Sequence, residues 1–210
     1  ELRRLARVVP PDEPFGAHVT GACDVVNPLV GERGAARVFS AQKGARIAEM
    51  QVLEDGLEQL ASCLRTDLAV DVSTVPYGGA GGGIGAGLAA FFDAGLEDGF
   101  ARIARETRLQ EAIDWADVVL TGEGRVDAGS LGGKVATNVA RLCKHADKPC
   151  LVVTGEVALP AALLPAEEAV GASAVVAVVD RCGRERSFRD AAGCVRAVTG
   201  ELVREHVAPG

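Results

Sequence analysis

Aromatic residues are scarce in this chain: one Trp, one Tyr and six Phe, 4% of 210 residues. A core must therefore be assembled from Val, Leu, Ala and Ile. Such cores suit parallel sheets flanked by helices, whose buried strands read as aliphatic runs. No stretch reaches the length of a membrane span, and no signal peptide opens the chain. The six cysteines, at 23, 63, 143, 150, 182 and 194, form no CxxC pair and no His/Cys cluster with metal-ligand spacing. They lie in or beside apolar runs, as small hydrophobes do, so reduced thiols in a cytoplasmic protein are expected. Positive charge is also in deficit: 22 Lys and Arg against 29 Asp and Glu, a net charge of −7. That balance excludes a general nucleic-acid binder, because phosphate backbones select basic surfaces. His18, His145 and His206 are isolated, and no Ser/His/Asp arrangement can be assembled around them.

What is present is an ordinary globular composition, 48% hydrophobic and 24% charged, in a chain long enough for one sizeable or two small domains. In the second half, DVVLTGEG (117–124), PCLVVTG (149–155) and SAVVAVVD (173–180) read as three buried strands. Helical spacing separates them over 133–147, with Val135, Val139 and Leu142 on one face, and over 159–172, where prolines interrupt. A closing helix spans about 187–207, with Ala191, Val195, Val198 and Leu202 on one face. This alternation predicts βαβ units and a parallel sheet, with the 121–133 loop at the strand C-terminal edge where open α/β sheets bind ligands. Three strands make a thin sheet, so the layer reads as incomplete, with N-terminal strands missing.

The first half does not keep that rhythm. HVTGACDV (18–25) reads as a strand, and AVDVSTV (69–75) as a second candidate. A long helix carries Met50, Leu53, Leu57, Leu60 and Leu64 on one stripe, IGAGLAAFFDAGL forms another, and 97–116 reads as helical. The expected organisation is a smaller α/β domain over 1–108 with a Gly-rich loop, followed by the C-terminal part of a Rossmann-like parallel-sheet domain over 109–210.

Three segments carry candidate chemistry. TGEGRVDAGSLGGK (121–134) offers Gly122 and Gly124 for close backbone approach, then Glu123, Arg125, Asp127 and Lys134 as charges. Gly133-Lys134 opens a helix, so backbone N–H groups and a cation converge as phosphoryl transfer requires. The spacing is not the Walker pattern, since Val135 follows the lysine, and a solvated βα loop would show the same charges. CDVVNPLVGERGAARVFSAQKGA (23–45) places Asp24 and Asn27 after a strand, and Gln42-Lys43-Gly44 before a helix. An Asn-Pro turn and a helix-start loop account for the same residues. PYGGAGGGIGAG (76–87) packs seven glycines into twelve positions. That is a strong loop signal and a weak phosphate signal, and the acidic residue at a second strand end that a dinucleotide fold needs is not apparent.

Taken together, CDVVNPLVGERGAARVFSAQKGA, PYGGAGGGIGAGL and ADVVLTGEGRVDAGSLGGK resemble, in order and spacing, three blocks of the bacterial glycerate kinase family. The resemblance runs from about residue 15 to the end and covers the C-terminal portion of the family's chain. It departs from the family's pattern at Ser40-Ala41, Tyr77-Gly78, Gly129-Ser130, Ala136 and Asn138. It implies a two-domain α/β protein that phosphorylates D-glycerate with ATP and Mg2+. On the matching positions, Asp127, Lys134, Glu123 and Arg125 would be catalytic, with Asp127 also a metal ligand. Asp24, Asn27, Gln42, Lys43, Gly79, Gly82, Gly83, Thr121, Gly122 and Gly124 would bind substrate and nucleotide. The chain would act as a truncated or split kinase beside a missing N-terminal half or as a homo-oligomer; the alternative is a non-catalytic α/β remnant or partner subunit.

Overall fold

The structure, a computed structural model, describes residues 1–10, 12, 13 and 15–206. The chain divides into two units, Glu1–Ile103 and Ala104–Gly210.

In the first unit, β1 (Thr20–Cys23) pairs in parallel with β2 (Gly95–Asp98), from Thr20 opposite Gly95 to Cys23 opposite Asp98. Between them run α1 (Ala35–Phe39), α2 (Ile47–Leu68) and α3 (Ile84–Phe92). The Glu49 carboxylate accepts the Arg46 N–H at 2.8 Å and so satisfies one of the donors left open at the start of α2. Leu57, Ala61 and Leu64 of this helix pack with Leu29, Val72 and Ala86. Full burial of Leu64 contributes about 1.5–3 kcal/mol by itself.

Three expectations for residues 47–116, which cross into the second unit, are corrected. The buried line on α2 keeps Leu57 and Leu64, but Leu53 is 46% exposed and Glu54 and Ala61 are buried in its stead. The helix is turned toward Glu54, whose carboxylate is engaged by a neighbouring loop. Residues 69–75 make no strand, because the Asp71 side chain accepts the Ser73 N–H at 3.0 Å and closes a turn. Residues 97–116 are not continuously helical: β2 opens the stretch, followed by α4 (Gly99–Glu106) and α5 (Leu109–Trp115). Asp93, in the left-handed region at φ 49°, ends α3 and turns the chain toward the β1 edge, a pairing that local periodicity does not encode.

The second unit holds a three-stranded parallel sheet of order β3 (Val119–Asp127), β4 (Cys150–Ala158), β5 (Ala174–Ala177). On central β4, Cys150, Leu151 and Val152 are all buried. Between the strands run α6 (Val135–His145), packed on β3 and β4, and α7 (Ala166–Val170). After β5 come α8 (Val178–Cys182), α9 (Arg184–Arg189) and α10 (Ala191–His206). Leu202 of α10 packs against Leu151 and Ala174 on the other face from α6.

Here too the boundaries move. Strands β3 and β4 run on to Asp127 and Ala158, so Thr121–Asp127, expected as a loop, is paired strand with Thr121 opposite Val152 and Asp127 opposite Ala158. The third strand stops at Ala177, since the chain turns into α8 where 178–180 was expected to remain extended. The closing helix breaks at Asp190. Its buried face is Cys194, Val198 and Leu202, while Val195 is 45% exposed. Position 207, the expected helix end, lies outside the described residues. All six cysteines are free thiols, and burial pushes Cys150 up to about 12, which makes it inert as a nucleophile. Among the described residues no helix is long and apolar enough to cross a membrane.

Candidate functional site

The charged segment of the second unit converges on one lysine. Lys134 sits at the cap position of α6, with extended backbone and no side-chain cap on the helix. The first backbone N–H groups of α6 therefore remain open, and the positive end of the helix adds to the lysine charge. Two carboxylates answer it: Asp127 Oδ1 at 3.4 Å and Glu123 Oε2 at 3.8 Å from Nζ. Both acids come from β3, four residues apart, and both reach the same cation because the strand continues past its expected end.

The two carboxylates differ in surroundings. The turn after β3 is tied reciprocally: Asp127 Oδ1 accepts the Ser130 N–H, and Ser130 Oγ accepts the Asp127 N–H, each at 3.1 Å. The Ser130 hydroxyl also donates to the Arg125 carbonyl at 3.2 Å. Desolvation acts to raise the Asp127 carboxyl, but the Ser130 N–H and the Lys134 charge outweigh it and hold it below the ordinary carboxylate value. Glu123 is more enclosed, with a side chain 13% exposed, and its buried Oε1 has no hydrogen-bond partner. An orphaned buried carboxylate oxygen is costly, and an incoming donor or cation would relieve it.

Of the other residues expected here, Thr121, Gly122 and Gly124 lie on β3, and Arg125 is exposed and takes no part in the Lys134 ion pairs. A side chain at Gly122 would place Cβ 2.3 Å from the Val153 carbonyl, so glycine there serves strand packing. Ser130, fully buried, is a positioning residue that the sequence reading passed over. The spacing Asp127-x-x-Ser130 was its signal, an Asx-type turn. Asn138 is a second, its amide donating to the Gly133 carbonyl at 2.6 Å and bracing the entry to α6.

The first unit gathers a separate set. The Gly79 N–H donates to the Asn27 carbonyl at 2.9 Å and the Tyr77 N–H to the Val26 carbonyl at 3.0 Å, so the Asn27-Pro28 turn and the glycine loop are one structure. A Cβ on Gly79 would lie 2.3 Å from the Pro28 carbonyl, and one on Gly85 2.2 Å from the Tyr77 carbonyl. Those glycines permit backbone-on-backbone contact. Gly82 and Gly83 are different: both adopt positive φ, at 76° and 115°. The Asn27 amide donates to the Arg33 carbonyl at 2.8 Å and braces the loop, while Asp24 is exposed after β1. Gln42 and Lys43 are exposed on a single 3-10 turn, Ala41–Lys43, ahead of α2. Glu54 reaches this loop from α2, its Oε1 accepting the Gly31 N–H at 2.7 Å and lying 3.8 Å from Arg37 Nε.

Comparison with known proteins bears directly on these two clusters. The Glycerate kinase family model matches residues 6–206. The chain is 44% identical over 134 residues to Glycerate 2-kinase of Escherichia coli (strain K12), covering 64% of this chain and 35% of that protein. It is 39% identical over 164 residues to the uncharacterized protein slr1840 of Synechocystis sp., covering 78% and 44%. A crystal structure of putative glycerate kinase 2 from Salmonella typhimurium LT2 superposes with a TM-score of 0.65 at 35% identity, over 89% of this chain and 47% of that one. The chain thus spans under half the length of these relatives. With all three motif blocks inside the matched span, the chain belongs to the glycerate kinase family.

Proposed function

We propose that this chain carries phosphoryl-transfer chemistry, in which the 2-hydroxyl of D-glycerate attacks the γ-phosphorus of ATP to give 2-phosphoglycerate and ADP. One observation carries the reading: a lysine at an uncapped helix N-terminus stands between two carboxylates near the C-terminal edge of a parallel sheet. That edge is where open α/β sheets bind ligands, and phosphoryl transfer is catalysed chiefly by positioning and charge.

Glu123 is the base. Its orphaned Oε1 accepts the substrate hydroxyl and takes its proton as the new O–P bond forms and the β–γ bridging bond breaks, with ADP leaving. Asp127, held low, is a poor proton acceptor near neutral pH and acts as a fixed negative ligand. Lys134 and Arg125 neutralise phosphate oxygens. In the first unit, considered by itself, Asp24, Asn27, Gln42 and Lys43 offer polar and charged groups to an anionic ligand, and Gly82 and Gly83 present left-handed backbone. Mg2+ fits the donor set, since it takes one or two carboxylates and completes its shell with water and phosphate oxygens. Among the described residues no cluster of three or more His, Cys, Asp or Glu would hold an ion unaided. Asp127 would hold it, and when bound it would neutralise charge on the transferring group.

The test is ADP release by the 210-residue chain with and without D-glycerate, with the product identified by phosphorus NMR. Glycerate-dependent ADP and a 2-phosphoglycerate signal are expected; their absence overturns the reading. A second reading is a partner subunit without turnover of its own. In that case activity requires a companion chain or a second copy, and millimolar ATP or glycerate gives this chain no thermal shift, whereas a bound ligand stabilises by mass action.

A further inference from the structure

The second unit has a small apolar cavity of about 270 Å³ between the sheet and α8, α9 and α10. Its floor is Gly124 and Gly155, on adjacent strands, and its walls include Val178, Val195 and Phe188. Side chains alternate along β3, so the cavity over Gly124 opens on the sheet face opposite the Glu123 side chain. The charged cluster and the cavity flank one strand segment.

We infer that this cavity is the nucleobase subsite of a nucleoside triphosphate, with a purine ring lying over Gly124 and against Phe188. The inference rests on the kinase reading and adds the place of the base. Four observations carry it. First, a Cβ on Gly124 would meet nothing within 4 Å, and the residue is not among those at positive φ. Neither backbone conformation nor packing requires glycine there, so its missing side chain is space left open to a ligand. Second, Phe188 is 74% and Val195 45% exposed, an apolar lip with no cover in the unit. Third, the Arg184 guanidinium stands 5.5 Å from the Phe188 ring centroid and 3.4 Å from Glu156 Oε1, which orders the rim and sets a cation beside an aromatic face. Glu156 also offers an acceptor to the exocyclic amine of a purine. Fourth, the volume falls just under the range of roughly 300–1,000 Å³ for pockets that take a whole ligand. It suits a flat ring, with sugar and phosphates passing over the strand toward Lys134.

The experiment is calorimetric titration of the 210-residue chain with ATP and with inorganic tripolyphosphate, both with Mg2+. The ratio of the two affinities isolates the base. ATP is expected to bind at least tenfold tighter than tripolyphosphate. Gly124→Val fills the cavity and should bring ATP to within about twofold of tripolyphosphate, leaving the latter unmoved. Phe188→Ala, on the exposed rim and without consequence for folding, should weaken ATP at least about fivefold, the low end of base–aromatic stacking, and leave tripolyphosphate unchanged. If both variants keep the wild-type ratio, or the wild-type chain binds both ligands equally, the subsite is overturned and the nucleotide reading stands. If neither ligand binds, the nucleotide reading falls and the subsite with it.

Discussion

Lys134 Nζ stands 3.4 Å from Asp127 Oδ1, a pair that joins the cap of α6 to the last residue of β3. The same ammonium is 3.8 Å from Glu123. One cation therefore offsets two acids, and an unscreened carboxylate pair would remain without it. Lys134→Met should lower turnover about 10²- to 10³-fold, the scale of losing one electrostatic contact to a transition state. Lys134 is half exposed, so the stability loss should stay under about 1 kcal/mol. Coupled ADP release together with urea unfolding separates the two effects.

The depressed Asp127 carboxyl sets a pH dependence. A group whose folded value lies below its unfolded one, about 3.9 for Asp, stabilises the fold fully above that unfolded value. The contribution then disappears as pH falls through the folded value. Asp127→Asn should therefore be less stable than the parent at pH 7 and indistinguishable from it at the acid end of the titration. Urea midpoints at pH 7, 5 and 3 check the convergence. Ser130→Ala should weaken the same acid-limb dependence, because it breaks the reciprocal turn.

Glycines of the 76–87 loop should divide into two classes. Gly79→Ala drives Cβ into the Pro28 carbonyl, and backbone cannot yield cheaply, so a loss of about 2–3 kcal/mol is expected. Gly82→Ala meets open space and bears only the left-handed backbone, about 1 kcal/mol. Thermal unfolding of the two variants ranks them, and equal losses would remove the backbone-contact assignment.

Glu54 should behave as an anchor of the 27–34 loop. Glu54→Ala deletes the acceptor of the Gly31 N–H and leaves a buried gap, for about 1–3 kcal/mol. Glu54→Gln keeps an acceptor oxygen and should cost less. Amide exchange at Gly31 reads the anchor directly, with faster exchange in the alanine variant than in the glutamine one.

Much of the second unit was legible in advance. Its strands are aliphatic runs and its helices carry apolar faces, so the order β3-α6-β4-α7-β5 follows from composition and period. The candidates Glu123, Asp127 and Lys134 were visible as charges between a strand and a helix. Ser130 was not, because its importance lies in a reciprocal turn rather than in its residue type. In the first unit, β2 was hidden: Gly95–Asp98 is four residues, two of them acidic, and is a strand only because β1 lies beside it. Glu54 was hidden as well, since a glutamate on a long helix reads as solvent-facing until a loop amide claims it.

By itself, then, the sequence determined the aliphatic core, the βαβ rhythm of the second half and the family to which three motif blocks belong. The core and the rhythm are written in local period and residue spacing, the family in the resemblance of the three blocks. Tertiary structure alone decided that Glu123 and Asp127 share one lysine, that β3 runs through the expected loop, and that Gly79 lies against the Pro28 carbonyl. Each of those depends on groups far apart in the chain, or on an edge supplied by another strand, and no local pattern records them.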